Sequence, residues 1–210
     1  MKSFLAALLA TFTLIAAPAS AIDFREGVHY QEITTKEATS KPEIIEYFSF
    51  YCGSCYQFSP FSDRMAELYP EEFKAYQVDF IAPRDMGTVI VQSWAAATVL
   101  GVAAEFKQRT FHQHFVERKQ SNTLNDIKAI FQQVGVSPAQ FEQAYGSFAV
   151  RSLTNRMRTS VRDFNVRSTP TYIVNGKYIV LQQGFRDSGA NFFADLEQLV
   201  AYLLTKDGNK

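Results

Sequence analysis

The sequence predicts an α/β fold in which a βαβ unit and a ββα unit are separated by an all-helical insertion. Three observations carry that expectation. The run Ile44-Ile45-Glu46-Tyr47-Phe48-Ser49-Phe50 is nearly continuous apolar and β-favouring, as a central strand covered on both faces should be. Helical patterning then fills Gly87 to about Phe164. Strand signals return at Thr169 and give way to an amphipathic helix.

Taken in order, the chain opens with Lys2 and a mostly apolar stretch, Phe4 to Ala17. Pro18 breaks the stretch, and the small residues Ala19-Ser20-Ala21 follow. This is the pattern of a cleavable signal peptide over 1–21, and it is too short for an ordinary membrane span. An uncleaved anchor is the alternative. The first α/β segment is expected over 22–84. After the central strand, a helix should run from the cysteines to about Tyr69, offering Phe58, Met65, Leu68 and Tyr69 to a core. Pro60 falls inside this helix and should kink it. Phe73 to Phe80 reads as a further strand.

The helical insertion is expected over 85–164. Trp94, Ala97, Val99 and Val102 begin its apolar pattern, and Phe106, Phe111 and Phe115 continue it. Thr123 ahead of Leu124 and Asp126 has the form of an N-cap with an acid three positions on. Gly135 should end that helix, and Ser137-Pro138 should open the next, with serine as cap and proline at the first helical position. Ser147 opens the last helix of the block. The second α/β segment, 165–210, holds the strongest hairpin signal: Thr171 to Val174, the turn Asn175-Gly176, and Lys177 to Leu181. Beyond Ser188, Phe192, Leu196, Leu199, Val200 and Leu203 recur at helical spacing.

Composition narrows the function. The 21 basic residues balance the 21 acidic ones, and loss of 1–21 removes only Lys2, so no electrostatic case exists for nucleic acid or an acidic membrane as partner. The two cysteines, Cys52 and Cys55, are the sharpest bound. In an oxidising compartment disulfides persist. A bridge closing so short a loop, however, removes little entropy from the unfolded chain and is a poor staple. A zinc site needs four ligands. Only His29, His112 and His114 remain to supply them, and the last two, at i and i+2, do not share a helix face.

Cys52-Gly53-Ser54-Cys55 therefore reads as a redox pair at a strand-to-helix junction. At a helix N-terminus the first thiolate meets unpaired N–H groups and the positive end of the dipole, which lower its pKa. The second, one turn on, can reach back to close the disulfide or release a mixed one.

Glu46-Tyr47-Phe48-Ser49-Phe50-Tyr51-Cys52 with Cys55-Tyr56-Gln57-Phe58 closely resembles the active-site segment of the DsbA family, disulfide-forming proteins with a thioredoxin fold. The likeness continues through Gln92-Ser93-Trp94-Ala95, Phe148 to Leu153, and Val174-Asn175-Gly176-Lys177-Tyr178. The resemblance implies a thioredoxin fold interrupted by a helical insertion. It implies Cys52 as the exposed nucleophile, Cys55 as the buried resolving thiol, and Thr169-Pro170 as a cis-proline loop that binds extended peptide. Glu46 would be a buried acid under the disulfide that relays protons to Cys55; an acid at a strand edge is the alternative. The implied setting is the periplasm, with unfolded cysteine-containing proteins as substrates, a quinone-linked membrane reoxidase of the DsbB type, a monomer, and no cofactor beyond the Cys52–Cys55 disulfide.

Departures from the family pattern tune these expectations. Ser54 stands where the family usually has histidine, and Ser59 and Ala75 stand where it often has charged residues, with Lys74 one position out of phase. Gly53-Ser54 and Thr169 look more like the sites of disulfide isomerases and reductases, so a less oxidising enzyme is the second reading. Periplasmic isomerases usually carry a separate dimerisation domain, for which no residues are left. A redox-inactive peptide-binding module is the third reading. Arg151, Arg156, Arg158 and Arg162 read as a solvated helix face, while Tyr51 and Tyr56 are candidates to line an apolar surface around the cysteines.

Overall fold

A computed structural model describes residues 22–206 and 208. The signal-peptide expectation at 1–21 lies outside the described residues. Five strands form one sheet: β1 (Tyr30–Glu32), β2 (Ile44–Phe48), β3 (Phe73–Gln77), β4 (Thr171–Val174) and β5 (Tyr178–Val180). The spatial order is β1-β5-β4-β2-β3, with only β2 and β3 parallel. Helix α1 (Gly53–Leu68) supplies the crossover that this parallel pair requires. Between β3 and β4 come α2 (Met86–Val99), α3 (Ala103–Phe111), α4 (Leu124–Gln133), α5 (Pro138–Tyr145) and α6 (Phe148–Asp163); α7 (Phe192–Thr205) closes the chain.

All five residues of β2 are buried, as its unbroken apolar run requires. Ile44 shares a core with Phe61 and Met65 of α1 and with Leu196, Leu199 and Leu203 of α7. Ile45 and Tyr47, of opposite parity, join Trp94 of α2 and Met157 of α6. The sheet thus has a helical layer on each face. The strand ends two residues earlier than Phe50, and for a visible reason. Val78 N–H bonds the Phe48 carbonyl at 2.9 Å, but the next amide, Phe50 N–H, is taken by Gln77 Oε1 at 3.1 Å. β3 likewise stops at Gln77 rather than Phe80.

The helix signals correspond to real caps. Thr123 and Asp126 form a capping box on α4, Ser137 and Gln140 form one on α5, and Ser147 caps α6. Gly135, at φ +87°, terminates α4. At the β4–β5 turn, Asn175 and Gly176 take φ of 52° and 62°, the signature of a type I′ turn. Asn175 also does more than turn the chain. Its Oδ1 accepts from Glu43 N–H at 3.2 Å, and its Nδ2 donates to the carbonyls of Leu203 and Leu204, tying β2 to the end of α7.

Two core expectations are corrected. Val99 is 44% exposed, because it lies five residues past Trp94 and so about 140° around α2. Leu68, in the last turn of α1, is 37% exposed; Phe61, one turn before Met65, takes the core place. The chain stays helical through Pro60, and the Tyr56 carbonyl that proline cannot bond instead accepts from the Ser59 hydroxyl at 2.7 Å. A π-helical turn at His112–Val116 and a 3₁₀ stretch at Gln182–Asn191 have no counterpart in the sequence-based reading.

Candidate active site

Cys52 is the N-cap of α1, in extended conformation, and its Sγ accepts from the Cys55 amide at 3.4 Å. The sequence puts a sulfur where a cap usually has a hydroxyl or carboxylate, so the helix's free N–H groups face a thiol. Cys52 is half-buried, while Cys55 is 1% exposed; both are thiols in this structure. Gly53 and Ser54 are exposed between them.

The loop that presents Cys52 is fixed by side chains from distant elements. Gln77 holds the Phe50 amide, and His114 Nδ1 donates to the Phe50 carbonyl at 2.8 Å. His114 Nε2 accepts the Ser121 amide at 3.0 Å, so the ring is neutral with its proton on Nδ1, and burial pushes its pKa down. Ser49 Oγ receives the Tyr51 amide at 3.1 Å, and the Tyr51 hydroxyl donates to the Ser121 carbonyl at 2.8 Å. Tyr51 packs on the His114 ring and Tyr56 stacks on Phe115.

Opposite the pair, the Thr169–Pro170 peptide is cis. The Cys52 thiol donates to the Thr169 carbonyl at 3.5 Å. The Thr169 hydroxyl is the one fully buried side-chain oxygen among the described residues without a conventional hydrogen-bond partner. It adjoins both sulfurs and favours their thiolate forms. A cleft of about 370 Å³ runs past this loop, lined by Ser54, Thr169, Pro170 and Gln182, whose amide donates to the Pro170 carbonyl at 2.9 Å.

The two thiols are electrostatically split. Cys52 is held down to about 5, chiefly by the hydrogen bond from the Cys55 thiol, then by Thr169 and the Cys55 and Ser54 amides. Cys55 is pushed far up by the same bond and by burial. No cationic side chain stands among these causes. One thiolate poised beside one proton-holding thiol is the arrangement that disulfide exchange needs.

Glu46 is 2% exposed, and its Oε1 accepts from Ser62 Oγ at 2.7 Å and the Tyr172 hydroxyl at 3.2 Å. Burial raises its pKa. Tyr172 faces it directly across the β2–β4 ladder and feels the charge of both Glu46 and Cys55. The acid is thus interior rather than at a strand edge. Among the described residues no group of three or more histidines, cysteines or acids is placed to hold a metal. Ser62, Tyr172, Gln77 and Ser121 were missed from the sequence, where nothing marks a lone polar residue as the partner of one far away.

The sequence profile of the DSBA-like thioredoxin domain matches residues 43–195. The chain belongs to the DsbA family. Over 92% of its length it is 34% identical to the thiol:disulfide interchange protein DsbA of Pectobacterium carotovorum, covering 94% of that protein. Against the DsbA of Haemophilus influenzae it is 32% identical over 98% of this chain and 100% of the other. The crystal structure of the disulfide oxidoreductase DsbA from Proteus mirabilis superposes with a TM-score of 0.77 at 30% identity, covering 87% of this chain and 97% of that one. A complex of a cysteine-to-serine variant of that DsbA with a non-covalently bound peptide, PWATCDS, gives the same TM-score at 29% identity, with 87% and 99% covered. As a DsbA-family member the chain is a thiol:disulfide oxidoreductase that introduces disulfide bonds, built on a thioredoxin fold with a helical insertion.

Proposed function

We propose that Cys52 and Cys55 carry the exchange, and the observation that supports this most is the half-buried Cys52 sulfur capping α1 on the Cys55 amide at 3.4 Å, with the Cys55 thiol buried one turn on. In the oxidising direction a substrate thiolate attacks Sγ of Cys52, the Cys52–Cys55 bond breaks, and Cys55 leaves and takes up a proton. A second substrate thiolate then attacks the substrate sulfur of the mixed disulfide, and Cys52 departs as thiolate. The substrate's two thiols become one disulfide, the enzyme's disulfide becomes a thiolate and a thiol, and one proton is released. Glu46 is the nearby buried acid positioned to supply or store the Cys55 proton, and Gly53 and Ser54 set the poise of the pair. The loop at Thr169 and Pro170, with its adjoining cleft, would receive an extended cysteine-containing peptide, as the bound peptide in the Proteus relative suggests. The apolar stretch within 1–21 and the family relationship support a periplasmic setting, where the chain would act as a monomer. Unfolded secreted proteins would be its substrates and a quinone-linked DsbB-type membrane protein its reoxidant, with no cofactor besides the disulfide.

A reductase or isomerase is the second reading, favoured by one observation: no cationic side chain stands among the main groups that hold the Cys52 thiol down. Stoichiometric oxidation of a reduced, unfolded model protein by the Cys52–Cys55 disulfide, lost in Cys52→Ser, tests the oxidase assignment; net reduction of disulfides under the same conditions would favour the second reading.

A further inference from the structure

Lys107 is the anomaly of the molecule. Lysines are almost never buried unless paired, yet Lys107 on α3 is only 8% exposed. Its Nζ lies 2.6 Å from Asp63 Oδ1 on α1, whose side chain is 60% exposed. A pair this asymmetric does not need its lysine drawn inward, since an exposed aspartate could be met in solvent at no desolvation cost. On its inner side Lys107 lines a cleft with Ala75, the residue directly opposite Glu46 in the β2–β3 ladder. Asp63 follows Ser62, the residue whose hydroxyl holds the Glu46 carboxylate. Lys107 is the largest influence favouring the Glu46 carboxylate, against its burial. The groups facing Glu46 are therefore Ser62 and Asp63 from α1, Tyr172 from β4, and Lys107 from α3. Lys107 and Asp63 also line a surface cleft of about 730 Å³ that reaches Tyr56 and Ser59, one turn along α1 from Cys55.

We propose that Lys107, pinned by Asp63, is a positioning residue for the redox chemistry: from the helical insertion it fixes the charge of Glu46 and so governs proton exchange at Cys55. When Cys55 leaves as thiolate it must gain a proton, and Glu46 in its acid form can give one. The carboxylate so formed is buried, and among the described residues Lys107 is the cation that acts on it most. When the pair is reoxidised through a mixed disulfide between Cys52 and a disulfide-bearing oxidant, the Cys55 proton returns to Glu46, the Cys55 thiolate attacks the Cys52 sulfur, and the bond to the oxidant breaks as the oxidant leaves with the electron pair as thiolate. The cleft at Asp63 and Lys107 lets the relay re-equilibrate with solvent. The insertion thereby contributes to the active site although it supplies none of the reacting atoms.

This inference rests on the Cys52–Cys55 reading, and the experiment separates the two. The glutathione equilibrium would be followed against pH for the parent chain, Lys107→Met, Lys107→Arg, Glu46→Gln and the Lys107→Met/Glu46→Gln double variant. The parent should show an inflection that disappears in Glu46→Gln. In Lys107→Met the inflection should move up by about one pH unit or more, the effect of losing one near opposite charge; Lys107→Arg should restore it. The double variant should match Glu46→Gln alone. An inflection unmoved in Lys107→Met, or a Lys107→Met effect that persists without Glu46, overturns the proposal. Absence of any glutathione exchange in the parent would instead sink the Cys52–Cys55 reading. A second arm needs no lysine substitution, in case Lys107→Met does not fold. The Lys107 ammonium resonance should show a titration step at the Glu46 inflection in the parent and none in Glu46→Gln, and a featureless titration in the parent counts against the proposal.

Discussion

The Cys55 amide donates to Sγ of Cys52 at 3.4 Å, so the first cysteine caps the helix that carries the second. One hydrogen bond thus joins the reactive sulfur to the helix dipole, while the bond between the two thiols and the burial of Cys55 set them apart in proton affinity.

That separation predicts how the reduced protein titrates. Thiolate absorbance of the dithiol form should rise with a midpoint near pH 5, and alkylation by iodoacetamide should follow it with Cys52 modified and Cys55 spared. The sign for stability follows from linkage. Cys52 is depressed from about 8.5 in the unfolded chain, so its contribution to the reduced fold is complete above that pH. It shrinks as pH falls and is gone once pH drops through about 5. The melting temperature of the reduced form relative to the oxidised form should therefore fall from pH 8 to pH 5. A flat difference would contradict the low thiol pKa.

Removing one sulfur at a time should divide their roles. Cys52→Ser should abolish exchange. Cys55→Ser should leave an attacking thiol with no resolving partner and, by attack on disulfide-bonded substrates, accumulate mixed disulfides at Cys52 as the substrate's other sulfur leaves as thiolate, visible as a mass increase that a reductant reverses. Accumulation on the Cys52→Ser variant instead would reverse the assignment.

Ser54→His restores a cation beside the nucleophile. It should lower the Cys52 pKa and stabilise the reduced state, making the enzyme more oxidising by about 30 mV for each pH unit that the pKa falls. The glutathione equilibrium measures this directly. An unchanged or more negative potential would show that position 54 does not tune the pair.

Asn175→Ala should cost about 2–4 kcal/mol in chemical denaturation, since it unpairs the Leu203 and Leu204 carbonyls and the Glu43 amide and puts a Cβ residue less suited to φ of 52° in the turn. Redox activity of the folded fraction should be unaffected, because Asn175 touches no part of the site. A loss under 1 kcal/mol would show that water replaces these bonds at little cost.

Much of this was legible in the sequence where the signal is local. Thr123 with Asp126, Ser137 with Gln140, and Asn175 with Gly176 each announce their element within four residues, because caps and tight turns are made by near neighbours. The cysteine pair and Thr169-Pro170 were visible for the same reason. Lys107 was not, because its meaning comes from Asp63 and Glu46, which lie far off in the chain and meet it only in the packed fold. The residues steadying Cys52, namely Gln77, His114 and Ser121, are likewise brought together by tertiary structure. Val99 failed for a different reason: an apolar residue in a helical block looks inward until its angle around the axis is counted.

The central claim, a disulfide-introducing site softened by Gly53-Ser54, is tested most directly by the equilibrium of Cys52 and Cys55 with glutathione, read through Trp94 fluorescence or thiol alkylation. The predicted potential falls between about −270 mV for thioredoxin and about −120 mV for DsbA. A value at or below that of thioredoxin would contradict the assignment and make the chain a reductase.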